Sequence, residues 1–239
     1  AIIMNTMVVG MGIATGLTPL VGQAQKGTIT MNYEEVISRV HVYGLEESVR
    51  GSKYPMATDL SKVSEDVTPT VVKLATSKQG EGHDNFMNGI IVQMDLTLTN
   101  KAWVEAERYH FLDFVSSQST MHRITKFDLD SAYIDYVDPR MVQIMKEKVQ
   151  AYNDLQARMK ETEEPAEKQT LQAELNERYL QILYSNPCGF RITARMMTNY
   201  RQLKTIYLQR RTHRLPEWRA FCAWIETLPY SEFITGKTA

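Results

Sequence analysis

The feature that most constrains the fold is an alternation of apolar and polar side chains over residues 89–98. One face is entirely apolar and carries Ile90, Val92, Met94, Leu96 and Leu98. The other face is mixed and carries Ile91, Gln93, Asp95 and Thr97. A period of two over such a length is typical of a β-strand with one buried face. This segment is therefore predicted to be a strand of the hydrophobic core.

The segments that precede this strand are less regular. Residues 32–43 mix apolar and polar positions and fit either a strand or a short helix. Residues 44–55 are predicted to be a solvated loop, because glycine, serine and proline are frequent there. The apolar spacing of residues 67–78 predicts a helix.

After the strand, Asn100 is a candidate N-cap for a helix that is expected to reach Phe114 or beyond. The residues that recur at helical spacing there are Trp103, Ala106, His110 and Phe114. The segment from Arg108 to Arg123 is therefore interpreted as the polar end of a helix and the loop that follows it. Its basic and hydroxyl side chains predict a site for an anionic ligand.

Residues 139–184 are predicted to form an antiparallel helical hairpin. Pro139 suits a first helical turn, and two apolar stripes are separated by a charged turn at 160–168. Asn186-Pro187 is expected to end the second helix. Each stripe is only a few turns long, which favours packing on the chain's own domain over a coiled-coil partner.

The C-terminal part is predicted to be helical. One helix is expected over residues 196–213, and Pro216 should begin the last one. The buried side of the last helix is predicted to carry Trp218, Phe221, Cys222 and Ile225. No internal repeat and no strong linker interrupts the chain, so residues 31–239 are interpreted as a single domain.

Residues 1–30 differ from the rest, because Ala1 to Gln25 contain no charged side chain. No basic residue precedes the apolar run, which argues against a signal peptide, and glycine and proline interrupt it, which argues against a membrane span. Two interpretations stay open. The segment is an extension ahead of a natural start at Met31, or it is a glycine-rich strand and loop of the same domain.

Charge and motif content exclude several classes of function. The net charge of -1 makes nucleic acid an unlikely partner, even for the basic segment 201–214. Two cysteines are too few for a disulfide framework and suit a cytoplasmic protein. The five histidines lack metal-ligand spacing, and no phosphate-loop, dinucleotide or nucleophile-elbow motif is present, so no metal site is predicted.

Two polar clusters remain as candidate sites. The first comprises Arg108, Tyr109, His110, Ser116, Gln118, His122 and Arg123. The second comprises Asn199, Arg201, Lys204, Arg210, Arg211, His213 and Arg214. Lys204, Arg211 and Arg214 are interpreted as a solvated helix face. Arg210 falls on the apolar side of its helix, which indicates that it meets either an anion or a buried carboxylate.

The order of these motifs resembles the flavin-dependent thymidylate synthases. That family has a Gly-His-Glu segment, represented here by Gly82-His83-Asp84, before a strand and a helix. Its hallmark RHRxxSxNxxSxR begins on Arg108-Tyr109-His110 and continues, after three extra residues, with Ser116, Gln118, Met121 and Arg123. Its later NxRxL, LR and QWE motifs match Asn199 to Leu203, Gln209-Arg210 and Glu217-Trp218. The resemblance covers about residues 67–229.

The resemblance implies an α/β (α+β) fold, in which a small antiparallel sheet packs with long helices, and a homotetramer with flavin sites shared between subunits. It implies FAD as cofactor and dUMP or a related pyrimidine deoxynucleotide as substrate, with NADPH and methylenetetrahydrofolate as co-substrates. The flavin-binding residues that it implies are His83, Arg108, His110 and Gln118. The nucleotide-binding residues are Glu105, Arg123 and Arg210, and the catalytic residues are Ser116 and Arg210.

This sequence departs from the family pattern at several of these positions. Tyr109 and His110 replace a histidine and an arginine, and Met121 replaces a serine close to the reacting base. Glu105 replaces a glutamine, and Leu183 replaces an arginine. These changes indicate an altered one-carbon transfer to the base C5, such as hydroxymethylation or the use of a different pyrimidine. The alternative is a catalytically inactive relative that binds a nucleotide or acts in assembly.

Overall fold

The computed structural model describes residues 31–237, and the predicted extension 1–30 lies outside them. Its centre is a four-stranded antiparallel sheet with the order β1-β2-β4-β3. The strands are β1 (Ile37–Tyr43), β2 (Ile91–Thr99), β3 (Asp113–Ser117) and β4 (Arg191–Asn199). Helices pack around this sheet, so the expected α/β (α+β) fold is confirmed.

The helices of the described residues vary widely in length. They are α1 (Leu45–Gly51), α2 (Pro69–Ala75), α3 (Asn100–Ala106), α4 (Thr120–Arg123), α5 (Pro139–Glu161), α6 (Pro165–Ser185), α7 (Tyr200–Arg210), α8 (Pro216–Ile225) and α9 (Glu232–Thr235). None of the helices in residues 31–237 combines the length and the apolar character that crossing a bilayer requires.

The central strand follows the alternation in the sequence. The five residues of the apolar face are fully buried, whereas Ile91, Gln93, Asp95 and Thr97 on the other face are partly exposed. The whole length of β2 pairs with β4, and Met94 lies opposite Met196. The predicted strand and its buried face are confirmed, although the strand runs over Ile91–Thr99 rather than 89–98.

Strand β4 corrects the predicted helix over 196–213. Residues 191–199 are extended because they pair with β2 on one side and with β3 on the other. The helix α7 begins only at Tyr200, where the side chain of Asn199 accepts a hydrogen bond from the backbone N–H of Gln202 at 2.8 Å. The sequence predicts the apolar stripe of α7 but not the residue at which this helix begins.

The segment from Arg108 to Arg123 also differs from the prediction. Helix α3 ends at Ala106, and its N-cap is Thr99 rather than Asn100. A turn with a positive φ of 59° at Phe111 leads into β3, so this segment is a turn, an edge strand and a short helix. The expected helix to Phe114 is wrong, because backbone pairing of Phe114 with Met196 favours the extended conformation.

Two segments between β1 and β2 also differ from the prediction. The predicted loop 44–55 contains helix α1, which forms because Val49 is completely buried in the core. Gly44 precedes it with a φ of 70°, and a Cβ there would lie 2.6 Å from the carbonyl oxygen of Gly89. Helix α2 is present but shorter than the predicted 67–78.

The helical hairpin is confirmed. Its two helices, α5 and α6, contact each other along their length and enclose a small apolar cluster of Leu155, Leu171 and Leu175. Helix α6 ends before Asn186-Pro187, as expected. Helix α8 begins at Pro216 and buries Trp218, Phe221, Cys222 and Ile225, so that prediction is confirmed too.

A buried ion pair joins α7 to the turn before β2. Lys204 is 6% exposed, and its Nζ lies 2.9 Å from Oδ2 of the fully buried Asp84. The same ammonium donates to the carbonyl oxygens of Ala75 and Ser77, each at 2.7 Å. Arg201 Nε donates to Oδ1 of Asp84 at 3.1 Å. The prediction that Lys204 lies on a solvated face is wrong, because this carboxylate holds it in the core.

Candidate functional site

Arg210, at the end of α7, meets a carboxylate rather than open solvent. Its Nη1 donates to Oε2 of Glu105 on α3 at 2.8 Å. Its Nε donates at 2.7 Å to the hydroxyl of Tyr109, which in turn donates to Oε1 of Gln209 at 2.8 Å. Of the two partners that the sequence allowed for Arg210, the structure shows the carboxylate.

Aromatic rings complete the surroundings of this ion pair. The guanidinium carbon of Arg210 lies 5.0 Å from the ring centre of Trp218 and 5.5 Å from that of Tyr109. The Nε1–H of Trp218 donates to the same carboxylate oxygen of Glu105 at 3.1 Å. His213 Nε2 lies 3.4 Å from it. Glu105 is thus the centre of a partly buried polar cluster, which we call the Glu105 cluster: Glu105, Tyr109, Arg210, His213 and Trp218.

Arg108 and His110 lie in the turn between α3 and β3. Both are exposed, and His110 lines a cavity of about 680 Å³ that is built only from the segment 107–114. The hydrogen bond from Tyr109 to Gln209 holds this turn against the end of α7. The turn therefore brings the sequence-predicted Arg108 and His110 next to the Glu105 cluster.

Ser116 and Gln118 belong to the sheet edge. Ser116 is exposed on β3 and lies opposite Arg195. Gln118 continues the pairing, because its backbone N–H donates to the carbonyl of Thr193 at 3.0 Å and its side-chain oxygen accepts from the N–H of Thr193 at 2.9 Å. Every residue of β3 is exposed, so both predicted site residues lie on an open edge.

Arg123 lies elsewhere, beside the helical hairpin. It lines a cavity of about 570 Å³ between α4 and the two hairpin helices, here called the hairpin cavity. Its walls also include Met121, His122, Thr125, Lys126, Tyr152, Gln156, Asn176, Tyr179, Leu180 and Leu183. Neither Glu105 nor Arg210 lines this cavity, so the structure separates two groups of residues that the sequence assigned to one nucleotide site.

His83 is exposed in the turn before β2, while its neighbour Asp84 is buried against α7. Asp84 contacts Arg201 and Lys204 near the start of that helix, whereas Tyr109 contacts its last turn. These contacts are about two turns of helix apart, or roughly 10 Å. His83 is thus not brought into the Glu105 cluster within one chain.

Sequence reasoning missed several residues of these sites. Tyr152, Gln156 and Asn176 line the hairpin cavity, whereas their sequence pattern predicts only a helical hairpin. The available signal was the presence of amides and tyrosines on helix faces that otherwise repeat aliphatic residues. Across residues 31–237, no three His, Cys, Asp or Glu side chains come together as a metal site would require.

Comparison with solved structures identifies a similar fold. One neighbour is the flavin-dependent thymidylate synthase ThyX from Helicobacter pylori complexed with FAD and dUMP; the TM-score is 0.57, the sequence identity is 14%, and the match covers 83% of this chain and 99% of that one. A second ThyX structure from Helicobacter pylori, also with FAD and dUMP, has the same score and identity and is covered to 98%. No family model and no curated protein matches the chain. The likeness shows a distant ThyX-like fold.

Proposed function

We propose that this protein binds FAD and a pyrimidine deoxynucleotide, as its structural neighbours do. The observation that carries the proposal is the hairpin cavity, because it combines cationic and aromatic side chains within one fold that matches those neighbours over 83% of the chain. Arg123 and Lys126 supply positive charge for a phosphate, His122 supplies a ring nitrogen for a hydrogen bond, and Tyr152 and Tyr179 supply flat walls for a ring.

The assignments from the resemblance distribute over two surfaces. Arg123 would bind the nucleotide phosphate in the hairpin cavity, with Ser116 near the base. Arg108, His110, Gln118 and His83 would hold the flavin, and all four are exposed to a ligand. Glu105 and Arg210 would face the nucleotide from the other surface. The donor set is rich in arginine, histidine and amide groups, which fits a dinucleotide with a charged pyrophosphate.

A complete site would then need more than one copy of the chain. The segment around β3 exposes large apolar side chains that a partner would cover; they are Phe111, Phe114, Val115 and Met121. An edge strand with both faces open is also a surface that proteins normally protect. We therefore propose that a second copy packs against β3 and joins the Glu105 cluster of one chain to the hairpin cavity of the other, within a homotetramer.

The proposed reaction is transfer of a one-carbon unit from methylenetetrahydrofolate to C5 of the pyrimidine, which loses its C5 proton. A methyl product needs a hydride, for which NADPH would be the source through the flavin, whereas a hydroxymethyl product takes up water and needs no net reductant. Met121 lines the hairpin cavity and cannot donate a hydrogen bond. This supports an altered base or product, such as hydroxymethylation, over plain thymidylate synthesis.

A second candidate function has its own support. The guanidinium of Arg210 is already neutralised by Glu105. A chain in which one of two nucleotide-binding cations is engaged internally suits a catalytically inactive relative that binds a nucleotide or acts in assembly.

The test begins with the purified full chain. We expect flavin absorbance bands, or binding of added FAD, and we expect dUMP to bind by calorimetry. Replacing Arg123 with glutamine should weaken the binding of dUMP by about tenfold, which is the effect of one lost charge-assisted contact. The matched control is Arg158→Gln, an exposed arginine of α5 outside the cavity.

The outcomes separate the two candidates. A chain that binds neither FAD nor dUMP contradicts both. Binding with turnover of methylenetetrahydrofolate supports the enzyme, and consumption of NADPH separates a methyl from a hydroxymethyl product. Binding of dUMP without turnover supports the inactive relative. The Val115→Lys variant places a charge on β3, and sedimentation of this variant tests the assembly. A tetramer that is unchanged by this substitution contradicts the proposed interface.

A further inference from the structure

A cavity other than the hairpin cavity lies where β2 ends and α3 begins. It measures about 740 Å³, within the range of small-molecule sites of roughly 300–1,000 Å³. It lies between the start of α3, the segment before α5, the turn after α6 and the connection from α7 to α8. The lining residues on which the inference depends are Lys101, Val137, Cys188, Arg214, Leu215 and Glu217.

The walls of this cavity are mostly apolar. Ile134, Val137, Leu215 and Pro216 contribute aliphatic surface, and Tyr136 contributes an exposed ring. Gly189 forms one side of the cavity. It has no side chain, which leaves room for Val137, and its carbonyl oxygen accepts a hydrogen bond from the N–H of Ile134 at 3.0 Å. A ligand that fills this space therefore needs an apolar body.

The lining of the cavity carries more positive than negative side chains. Its single carboxylate, Glu217, is buried and accepts the hydroxyl of Thr99 at 2.6 Å. Arg219 donates from Nη1 to the carbonyl oxygens of His213 and Arg214, each at 2.7 Å, so it shapes the wall. Arg214 makes no ion pair among residues 31–237, and Nζ of the exposed Lys101 lies 3.9 Å from Glu105. Two exposed cations thus lie beside an apolar space.

We propose that this cavity binds an amphipathic organic monoanion, such as a carboxylate with an aliphatic or aromatic body. Its charged end contacts Lys101 and Arg214, and its body packs against Val137 and Leu215. A phosphate-rich ligand fits less well, because burying polar groups against these aliphatic walls leaves them without hydrogen-bond partners. Its lining has no residue in common with the hairpin cavity and one, His213, in common with the Glu105 cluster. Binding of the monoanion does not require FAD or dUMP, so its test and that of the proposed function can fail separately.

The chain carries its own reporter for this site. Cys188 is exposed and lines the cavity, whereas Cys222 is buried in α8. Burial raises the pKa of the Cys222 thiol to about 12, so it stays protonated and unreactive in the folded protein. Alkylation by iodoacetamide, followed by peptide mass spectrometry, therefore measures access to the cavity at Cys188, and unmodified Cys222 verifies that the chain remains folded.

The experiment uses decanoate as probe, below its micelle concentration, with 1-decanol and inorganic phosphate as matched probes that lack the charge or the body. We expect saturating decanoate to slow alkylation of Cys188 at least fivefold and both matched probes, at the same concentration, to have a much smaller effect. Equal protection by 1-decanol, equal protection by phosphate, or no protection by decanoate overturns the proposal.

Variants at the two cations test the position of the anion. Lys101→Gln and Arg214→Gln should each raise the decanoate concentration for half-protection by about tenfold. Both side chains are exposed, so both variants are expected to fold. Arg211→Gln, an exposed arginine outside the lining, is the control and should leave protection unchanged. Unaltered protection in both cation variants overturns the assignment.

Discussion

The guanidinium of Arg210 is bound by a carboxylate of its own chain: its Nη1 lies 2.8 Å from Oε2 of Glu105. Both side chains are less than one-fifth exposed, and Trp218 covers the pair. The positive charge is therefore balanced before any ligand arrives. In contrast, Arg123 is exposed on α4 and makes no ion pair among residues 31–237. Of these two arginines, Arg123 is therefore the more available to an incoming phosphate.

The first prediction is that Glu105→Gln makes Arg210 available to an anion. The amide still accepts a hydrogen bond, but it no longer neutralises the guanidinium, so dUMP should bind about tenfold more tightly. Loss of the charge-assisted contact should lower the free energy of unfolding by about 1 kcal/mol. Calorimetry with dUMP and urea denaturation measure the two effects. The control is Glu107→Gln, an exposed neighbour, and equal affinities in both variants would contradict the prediction.

The second prediction concerns the buried Asp84. Asp84→Ala leaves the ammonium of Lys204 buried without its carboxylate, which should lower the free energy of unfolding by about 3–5 kcal/mol. Adding Lys204→Met should recover much of that loss, because no buried charge remains. Urea denaturation compares the variants with Asp59→Ala, a surface control. A double variant no more stable than Asp84→Ala would show that the charge is not the cause.

The third prediction concerns Gly189. A Cβ there would overlap Cγ2 of Val137 and lie 3.1 Å from Cγ2 of Ile134. Gly189→Ala should therefore lower the free energy of unfolding by about 1–3 kcal/mol. Val137→Ala removes the overlapping methyl and should partly restore stability in the double variant. Additive losses in a double-mutant cycle would rule out this contact as the cause.

The fourth prediction is a loss of stability at high pH through Cys222. Burial raises the pKa of its thiol from 9.0 to about 12, so the folded state keeps a proton that the unfolded state releases. The resulting stability is fully present below pH 9 and is lost as pH rises toward 12, with a slope of at most about 1.4 kcal/mol per pH unit. Cys222→Ala should show a shallower decline in urea titrations between these values. Parallel declines would contradict this account.

The sequence determined the parts of the fold that rest on local pattern. The alternation over β2 and the stripes of α5, α6 and α8 were all identified correctly, because a half-buried strand or helix repeats its apolar residues at its own period. The proline at the start of α5 and Asn186-Pro187 after α6 marked helix limits, because proline restricts its own backbone and that of the preceding residue.

Only the tertiary structure decided the identities of β3 and β4. Both contain residues that suit a helix, and they become strands because backbone groups distant in sequence complete their hydrogen bonds. The same holds for the charged groups. The sequence indicated that Arg210 meets an anion or a carboxylate, but the choice of Glu105 depends on how α3 packs against α7 and α8. The burial of Lys204 likewise depends on Asp84, which lies 120 positions away. The periodicity of a segment shows which side of a helix or strand is buried. Which residue a side chain contacts depends on how the whole chain packs.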